Sequence, residues 1–308
     1  MAEESKTSVL AAMGANFAIA IGKLIAGVIT GSAGILAEAG HSLADTVNQV
    51  FLLVGIELSD SGPDAAHPYG HGKEAFFWAF LAAIFIFVAG AAFSFFEGTR
   101  TMLQNDTHER SSSDLAIAFG VLGMAFVFES ISFAVAVRGI AQGARRKGSS
   151  FVHYLRRSPD LAVKTVFWED SAALLGLTFA ALGLALSELT GNEHWDGVAS
   201  LIIGVILTAV ALILGAQARH LLLGASASEQ TLAAIRQVLA TFPEIDGVPR
   251  MLTMQVGSSS VLLTGELQIA NDLSLAEAES LLERLDQSLA TAIPEVRDTF
   301  WEIKRTRT

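Results

Sequence analysis

The sequence predicts a mainly α-helical membrane protein, with six transmembrane helices followed by a small cytoplasmic α/β domain. The first observation is a mean hydropathy of +0.49 with 52% hydrophobic residues, which exceeds what a soluble domain with one apolar core needs. The second is a change of composition after about residue 224, from apolar to soluble and acidic. We therefore expect a transmembrane transport domain over residues 1–222 and a cytoplasmic domain over residues 223–308.

Six apolar windows have the roughly 20 residues or more that are needed to cross about 30 Å of hydrocarbon. They cover residues 9–29, 33–57, 75–98, 114–137, 161–187 and 197–222. The first window lacks the pattern of a secretory signal, so we expect it to remain as a helix. Basic residues concentrate in the loops of one side, above all in residues 139–160, which predicts that both termini are cytoplasmic. We interpret this basic loop as a topology anchor rather than as a lipid-specific site.

The segment after residue 222 has the pattern of an α-β-β-α-β domain, which we expect to be ferredoxin-like and to mediate dimerisation. Helical periodicity covers residues 229–242 and 274–293, and strand patterns cover 251–257, 261–270 and 296–305. The formal net charge is -11, and acids exceed bases in this segment. Both facts argue against nucleic-acid binding.

Two of the predicted membrane helices contain pairs of ionisable residues, which are costly in hydrocarbon and usually functional. His41 and Asp45 lie one turn apart in the second helix, and Glu169 and Asp170 are adjacent in the fifth. With a rise of about 1.5 Å per residue, His41, Asp45 and Asp170 can meet near the midplane. The chain has no cysteine, so these donors predict a site for zinc, or for cobalt, iron or manganese. For His41 and Asp45 the alternative is a polar contact between helices.

Other polar residues accompany these two pairs. Adjacent side chains lie about 100° apart on a helix, so Asp170 is the preferred ligand, and Glu169 is a weaker candidate that accepts a proton or supports the ligands. Glu38 and Asn48 share a face with His41, where they support the metal site, line its entrance or only form hydrogen bonds between helices. Glu129 in the fourth window is either a proton acceptor or a carboxyl group hydrogen-bonded within the bundle.

A second candidate site lies in the loop after the second window. Asp64, His67 and His71 follow one another at intervals of three and four residues, within SGPDAAHPYGHGKEAFFW. The Pro and Gly residues supply turns that could bring these side chains together on one metal ion. The alternative is that the histidines are an incidental surface cluster.

Taken together, these segments resemble the cation diffusion facilitators. The resemblance rests on the six windows, HSLAD, HPYGHGKEAFFW, the acids of the fifth window, DGVASLIIGVIL and the α/β tail, and it covers nearly the whole chain. HSLADTVNQ and FWEDSAALLGL are most similar to the branch that contains the mitochondrial zinc transporter of animals. The resemblance implies a homodimeric secondary transporter, not an enzyme, that exchanges a metal for protons by alternating access. The substrate would be Zn²⁺, or Mn²⁺, Fe²⁺, Co²⁺ or Cd²⁺, no cofactor would be required, and we expect the bacterial inner membrane as its location.

The resemblance also implies site residues. The transport site of the family falls on His41, Asp45 and Asp170, and its loop site falls on Asp64, His67 and His71. Many members have a histidine where this chain has Val166, and this chain has no histidine after His220. We therefore expect a tail that dimerises without a histidine-based metal site. Without a second imidazole, the ligands of the transport site are mostly oxygens, which are harder donors and could shift its preference from zinc toward manganese or iron. Zinc is still favoured, because the sequence is most similar to a zinc-transporting branch.

Two rival hypotheses come from other functional classes. An intramembrane metal-dependent hydrolase would need a water-activating metal and a general base, usually within a motif such as HExxH, which the sequence lacks. A metal sensor or scaffold that does not transport would keep the same ligands. It would leave the metal content of an expressing cell unchanged.

Overall fold

A computed structural model describes residues 2–103, 111–146, 148–157, 161–270 and 273–305. Helices fill the part before residue 223. Their bounds are α1 Ala2–Thr30, α2 Ala33–Ser59, α3 Glu74–Phe85, a π-helical segment Ile86–Ala92, α4 Phe93–Leu103, α5 Ser112–Arg146, α6 Phe151–Arg157, α7 Leu161–Thr190 and α8 His194–Leu222. Residues 139–146 and 151–157 of the predicted basic loop are thus helical, while its Lys147 and residues 158–160 lie outside the described residues.

Four helical stretches in the described part are long and apolar enough to cross a membrane. They are Glu74–Leu103, Ser112–Arg146, Lys164–Thr190 and His194–Leu222. The apolar part of α1, Asn16–Thr30, is shorter, and α2 is not in this class. α2 is long enough, but its polar residues lower its hydropathy. The count of six spans therefore stays a prediction.

Helix α2 lies at the centre of the bundle. It packs against α1 and α3 and also contacts α4, α7 and α8. Small residues allow these helices to approach closely, as is typical of helix packing in membranes. For example, a Cβ atom on Gly98 of α4 would lie 2.8 Å from the carbonyl oxygen of Gly197 in α8. Because α2 is surrounded, its polar face is enclosed by protein.

The connection from α1 to α2 is fixed by a residue that lies 164 positions after Ser32 in the sequence. Gly31 ends α1 with a φ of +65°, which glycine adopts without strain. Ser32 then caps α2, accepting a hydrogen bond from the backbone N–H of Ile35. Asp196 of α8 accepts hydrogen bonds from the Ser32 hydroxyl at 2.7 Å and from the backbone N–H of Ala33 at 2.5 Å. This buried carboxylate fixes the start of α2 relative to α8.

The C-terminal part is a three-stranded sheet covered by two helices. Its elements are α9 Glu229–Leu239, β1 Ile245–Gly257, β2 Ser260–Ile269, α10 Leu275–Ala292 and β3 Val296–Arg305. The sheet order is β1-β2-β3; β1 and β2 are antiparallel, whereas β2 and β3 are parallel because α10 crosses between them. The α-β-β-α-β order is as predicted, although β1 begins at Ile245 rather than Met251. A ferredoxin-like arrangement stays a prediction.

The helical part and the sheet are in contact. The Tyr69 ring in the loop between α2 and α3 lies edge-on to Phe300 of β3, with 6.3 Å between the ring centroids. In the same loop, Gly72 approaches β1 so closely that a Cβ atom would overlap the carbonyl oxygen of Val256. The loop with the predicted second site therefore packs against the sheet.

We predict that Asp196→Ala lowers the free energy of unfolding by roughly 1–3 kcal/mol, because it leaves buried donors at the start of α2 without an acceptor. Unfolding of the detergent-solubilised protein measures this. Asp114→Ala is the matched control, since Asp114 accepts from the backbone N–H of Ser111 at an exposed helix start. Equal effects of the two substitutions would contradict the structural role of Asp196.

Candidate metal centre

The polar residues of α2 form one buried face. Glu38, His41, Asp45 and Asn48 follow at intervals of three or four residues, and their exposed fractions are 0%, 1%, 7% and 0%. Residues with this spacing share a face of a helix. The face predicted from the sequence is therefore present and is turned into the bundle.

His41 and Asp45 have buried atoms that lack hydrogen-bond partners. Nδ1 of His41 lies 3.5 Å from Oδ1 of Asp45, which is too long for a good hydrogen bond. Both ring nitrogens of His41 and Oδ1 of Asp45 are buried without a partner among the described residues. Such atoms are rare in folded proteins, and each needs a physical reason. One imidazole nitrogen and one carboxylate oxygen are suitable donors for a divalent transition metal.

The acidic pair of α7 faces this side of α2. Glu169 and Asp170 are buried, and the Asn48 amide donates a hydrogen bond to Oε1 of Glu169. Oδ2 of Asp170 is buried and has no hydrogen-bond partner within the described ranges. Glu169 is thus held by an amide, whereas Asp170 retains an oxygen that can bind a cation. This geometry agrees with the preference for Asp170 as a ligand, which stays a prediction.

These donors are near one another but do not form a closed cluster. Asp170 and Glu129 both lie within electrostatic range of Asp45. Glu129 is buried on α5, which packs against α7. In the described part of the chain, however, only the loop residues form a group of three possible metal ligands with donor atoms within 4.8 Å of one another. The donors of α2 and α7 would have to move closer to share one ion.

Sequence reasoning missed Lys23 of α1. Its ammonium group is fully buried, forms an ion pair with Glu38 at 3.0 Å and donates a hydrogen bond to the Ser42 hydroxyl at 2.7 Å. The signal was available, because Lys23 interrupts an apolar run just as His41 and Asp45 do. Glu38 accepts a hydrogen bond from Lys23 of α1, and Asn48 donates one to Glu169 of α7. Both residues thus form hydrogen bonds between helices, which was one of their predicted roles.

The position of Glu38 also depends on a glycine in α7. A Cβ atom on Gly176 would overlap Oε1 of Glu38. Only a residue without a side chain leaves room for the carboxylate between α2 and α7. The helices α1, α2 and α7 thus meet at one buried carboxylate.

The structure brings the three predicted loop residues together. Oδ2 of Asp64 lies 3.1 Å from Nε2 of His71, and Oδ1 lies 3.4 Å from Nδ1 of His67. Gly70, with a φ of +81°, makes the turn between the two histidines. The donor atoms of all three residues lie within 4.8 Å of one another, so one metal ion could contact each of them.

Backbone groups orient the loop carboxylate. Oδ1 of Asp64 accepts hydrogen bonds from the backbone N–H groups of His67 at 2.6 Å and Ala66 at 2.8 Å. The backbone hydrogen bond from His67, followed by the side-chain hydrogen bond from His71, lowers the pKa of Asp64 to about 2. Asp64 is therefore ionised, and suited to bind a cation, across the physiological range of pH.

Comparison with known proteins identifies the family. The model of the cation efflux transmembrane domain matches residues 9–223, which is more than half of the chain. The chain belongs to the cation efflux, or cation diffusion facilitator, family. It is therefore an integral membrane protein of a transporter family, as the resemblance of its sequence predicted.

Individual relatives place this family member near the zinc branch. The mitochondrial proton-coupled zinc antiporter of Xenopus laevis is 34% identical over 80% of this chain and 43% of its own length. Metal tolerance protein C4 of Arabidopsis thaliana is 31% identical over 86% of this chain and 57% of its own. The cation-efflux pump FieF of Serratia proteamaculans is 24% identical over 97% of both chains. The chain thus spans about half the length of the first two relatives and nearly the full length of the third.

We predict that Lys23→Met lowers the free energy of unfolding by about 3–5 kcal/mol, because it leaves the Glu38 carboxylate buried without its counter-charge. The double variant Lys23→Met/Glu38→Met removes both charges and should cost much less. Unfolding in detergent micelles measures both. Additive losses in the double variant would show that the ion pair is not the cause.

We also predict that Asp64→Asn weakens Co²⁺ binding at the loop at least tenfold, or by about 1.4 kcal/mol, because the substitution removes the anionic donor. The absorption spectrum of bound Co²⁺ measures this in a His41→Ala background, which removes a donor of the buried site. Asp60→Asn, an exposed acid outside the cluster, is the control. Identical titrations of the two variants would contradict the loop site.

Proposed function

We propose that this protein exports Zn²⁺ in exchange for protons, binding the metal through His41, Asp45 and Asp170. The observation that carries the proposal is the set of buried donor atoms without partners on α2 and α7, among the described residues of a member of a cation efflux family. The relative from Xenopus laevis, a proton-coupled zinc antiporter, supports both the metal and the coupling ion. The protein moves its substrate without covalent chemistry, as a secondary active transporter.

Proton exchange follows from the chemistry of the proposed ligands. An imidazole binds a metal only when it is neutral, and a carboxylate binds best when it is ionised, so protons and metal compete for the same atoms. In the proposed cycle, metal enters from the cytoplasm and leaves on the other side, and the empty site takes up protons before it returns. Glu129 and Glu169, buried carboxyl groups within electrostatic range of Asp45, are the proposed additional proton acceptors. Alternating access would also bring the donors of α2 and α7 together.

The proposed architecture completes this cycle. Six membrane helices, including α1 and α2, form the transport domain over residues 1–222, with both termini cytoplasmic. The domain over residues 223–308 holds two copies together as a homodimer, and it has no histidine with which to bind regulatory metal. We propose the bacterial inner membrane as the location, since the match to the bacterial pump covers nearly the full length of both chains.

A specific feature favours a second candidate substrate. The proposed site has one imidazole and several carboxylates, and Val166 contributes no donor atom. Oxygen-rich sites suit manganese and iron better than sites with two imidazoles do. Export of Mn²⁺ or Fe²⁺ by the same cycle is therefore the alternative, and a non-transporting metal sensor is the alternative from another class.

We predict that purified protein in liposomes moves Zn²⁺ in exchange for protons when a pH gradient is imposed. His41→Ala, Asp45→Ala and Asp170→Ala should each lower the rate of Zn²⁺ transport at least tenfold. Each variant loses a proposed ligand while the bundle keeps its apolar contacts. A metal-sensitive dye and a pH dye inside the vesicles measure both fluxes, with Zn²⁺, Mn²⁺, Fe²⁺, Co²⁺ and Cd²⁺ compared.

His194→Ala is the matched control for transport, since His194 is exposed and hydrogen-bonded to Asn192 outside the proposed site. Full transport in the three ligand variants would contradict the site. Metal binding without any flux would favour the sensor, and faster movement of Mn²⁺ or Fe²⁺ than of Zn²⁺ would favour the alternative substrates.

A further inference from the structure

A cavity of about 140 Å³ lies where the helical bundle meets the C-terminal sheet. Its walls come from α6, the start of α7, the end of α8, the start of α9 and β1. Because α7 begins and α8 ends here, the cavity lies at the level of the helix ends and thus near the membrane surface. It is separate from the proposed transport site and from the loop cluster of Asp64.

Among the described residues, the charged side chains that line this cavity are two basic residues, Arg156 and Lys164, and one acid. Lys164 is 3% exposed at the inner wall, while Arg156 is exposed at the rim. His153 and His220 add two imidazoles, and Glu229 is the one acidic residue among the lining side chains that the structure describes. Arg and Lys are the side chains that most often bind phosphate groups. The charge of the cavity therefore fits an anion.

The start of α9 adds backbone donors to the same cavity. Ser228 caps this 11-residue helix by accepting from the backbone N–H of Thr231, and Ser228, Glu229 and Gln230 line the cavity. The first backbone N–H groups of a helix have no acceptor within the helix, and the helix dipole places partial positive charge there. Helix starts of this kind bind phosphate and other anions.

An unpaired buried amide points independently to a ligand. Gln255 of β1 lines the cavity, is 3% exposed, and its Oε1 atom has no hydrogen-bond partner in the described part of the chain. Oε1 of Gln217 in α8 lines the same cavity and is likewise buried without a partner there. Rotation of a glutamine side-chain amide by 180° exchanges its oxygen and its NH₂ group. The amides of Gln255 and Gln217 can therefore donate to a phosphate oxygen, or accept from a hydroxyl or amine beside it. Buried amides without partners are uncommon and need an explanation.

We propose that this cavity binds a phosphate group, with Arg156, Lys164 and the start of α9 contacting the phosphate and Gln255 fixing its orientation. The position of the cavity near the membrane surface favours the headgroup of an anionic phospholipid from the adjacent leaflet over soluble phosphate. Val152, which precedes the lining residue His153, and Leu223, two residues after the lining residue Leu221, are exposed and apolar, and they would contact the acyl chains. The basic loop thus has a lipid-binding role besides its predicted role in topology.

The test measures binding to the full-length protein in a non-ionic detergent, by native mass spectrometry and by the shift of the thermal unfolding midpoint. The probes are inorganic phosphate, short-chain phosphatidylglycerol, and a short-chain sugar lipid that has no phosphate. We expect phosphatidylglycerol to bind and to raise the midpoint, because a ligand that binds the folded state stabilises it. The sugar lipid should not bind here. Binding of inorganic phosphate alone would identify soluble phosphate as the source of the group.

Arg156→Gln/Lys164→Gln should weaken phosphatidylglycerol binding at least tenfold. The matched control is Arg145→Gln/Arg146→Gln, which removes the same charge from exposed residues of the same region outside the cavity. Equal losses in the two double variants would show non-specific attraction and would overturn the proposal. A failure of every phosphate probe to bind the unaltered protein would also overturn it.

Gln255→Leu tests the site without changing charge. The substitution removes a buried unpaired amide, so the protein without ligand should unfold at the same temperature or higher. Its affinity for phosphatidylglycerol should fall at least threefold. If Gln255 had only a structural role, the variant would instead lower the unfolding temperature and leave the affinity unchanged. The single variant Arg156→Gln, at an exposed position, repeats the charge test where Lys164→Gln fails to fold.

Discussion

The burial of charge on α2 is the constraint on which the rest of the structure depends. A bilayer cannot solvate the polar face that contains His41 and Asp45, so other helices must enclose it. This accounts for the central position of α2 and for the residues without side chains beside it. Gly176 is a glycine because Oε1 of Glu38 occupies the space of a Cβ atom. The start of α2 is fixed by Asp196 for the same reason, since a shift of the helix would move the whole polar face.

The charge around this face explains why a metal and protons would exclude one another. In the described part of the bundle, five carboxylates and one ammonium group are buried there, belonging to Glu38, Asp45, Glu129, Glu169, Asp170 and Lys23. The five carboxylates cannot all remain ionised beside a single ammonium group, because uncompensated charges in a medium of low polarity are too costly. Either a divalent cation or added protons must reduce the excess negative charge. The Lys23 ammonium group pairs with Glu38 and so offsets one of these negative charges.

Much of the fold could be predicted because hydrophobic periodicity determines it locally. The last strand was predicted with its observed bounds, Val296–Arg305, and the donors of α2 and of the loop were found from their spacing. The partners of those donors could not be predicted, because they depend on contacts between distant segments. Ser32 and Asp196 are 164 residues apart, and the pairing of Asn48 with Glu169 depends on the rotation of two helices. The π-helical segment Ile86–Ala92 has no signal in its apolar sequence, and α6 lies within a loop predicted from charge alone.

The two proposed metal sites differ in a way that separates their tasks. The loop cluster has two imidazoles and one carboxylate, and its donor atoms are already within 4.8 Å of one another. The site in the bundle has one imidazole, is richer in oxygen, and needs a movement of α2 against α7 to close. Imidazole-rich, preformed sites favour zinc, whereas oxygen donors also accept manganese and iron. The loop cluster is therefore expected to prefer zinc, whereas in the proposed cycle the bundle site would determine which metal is exported, since binding there would require the helices to move.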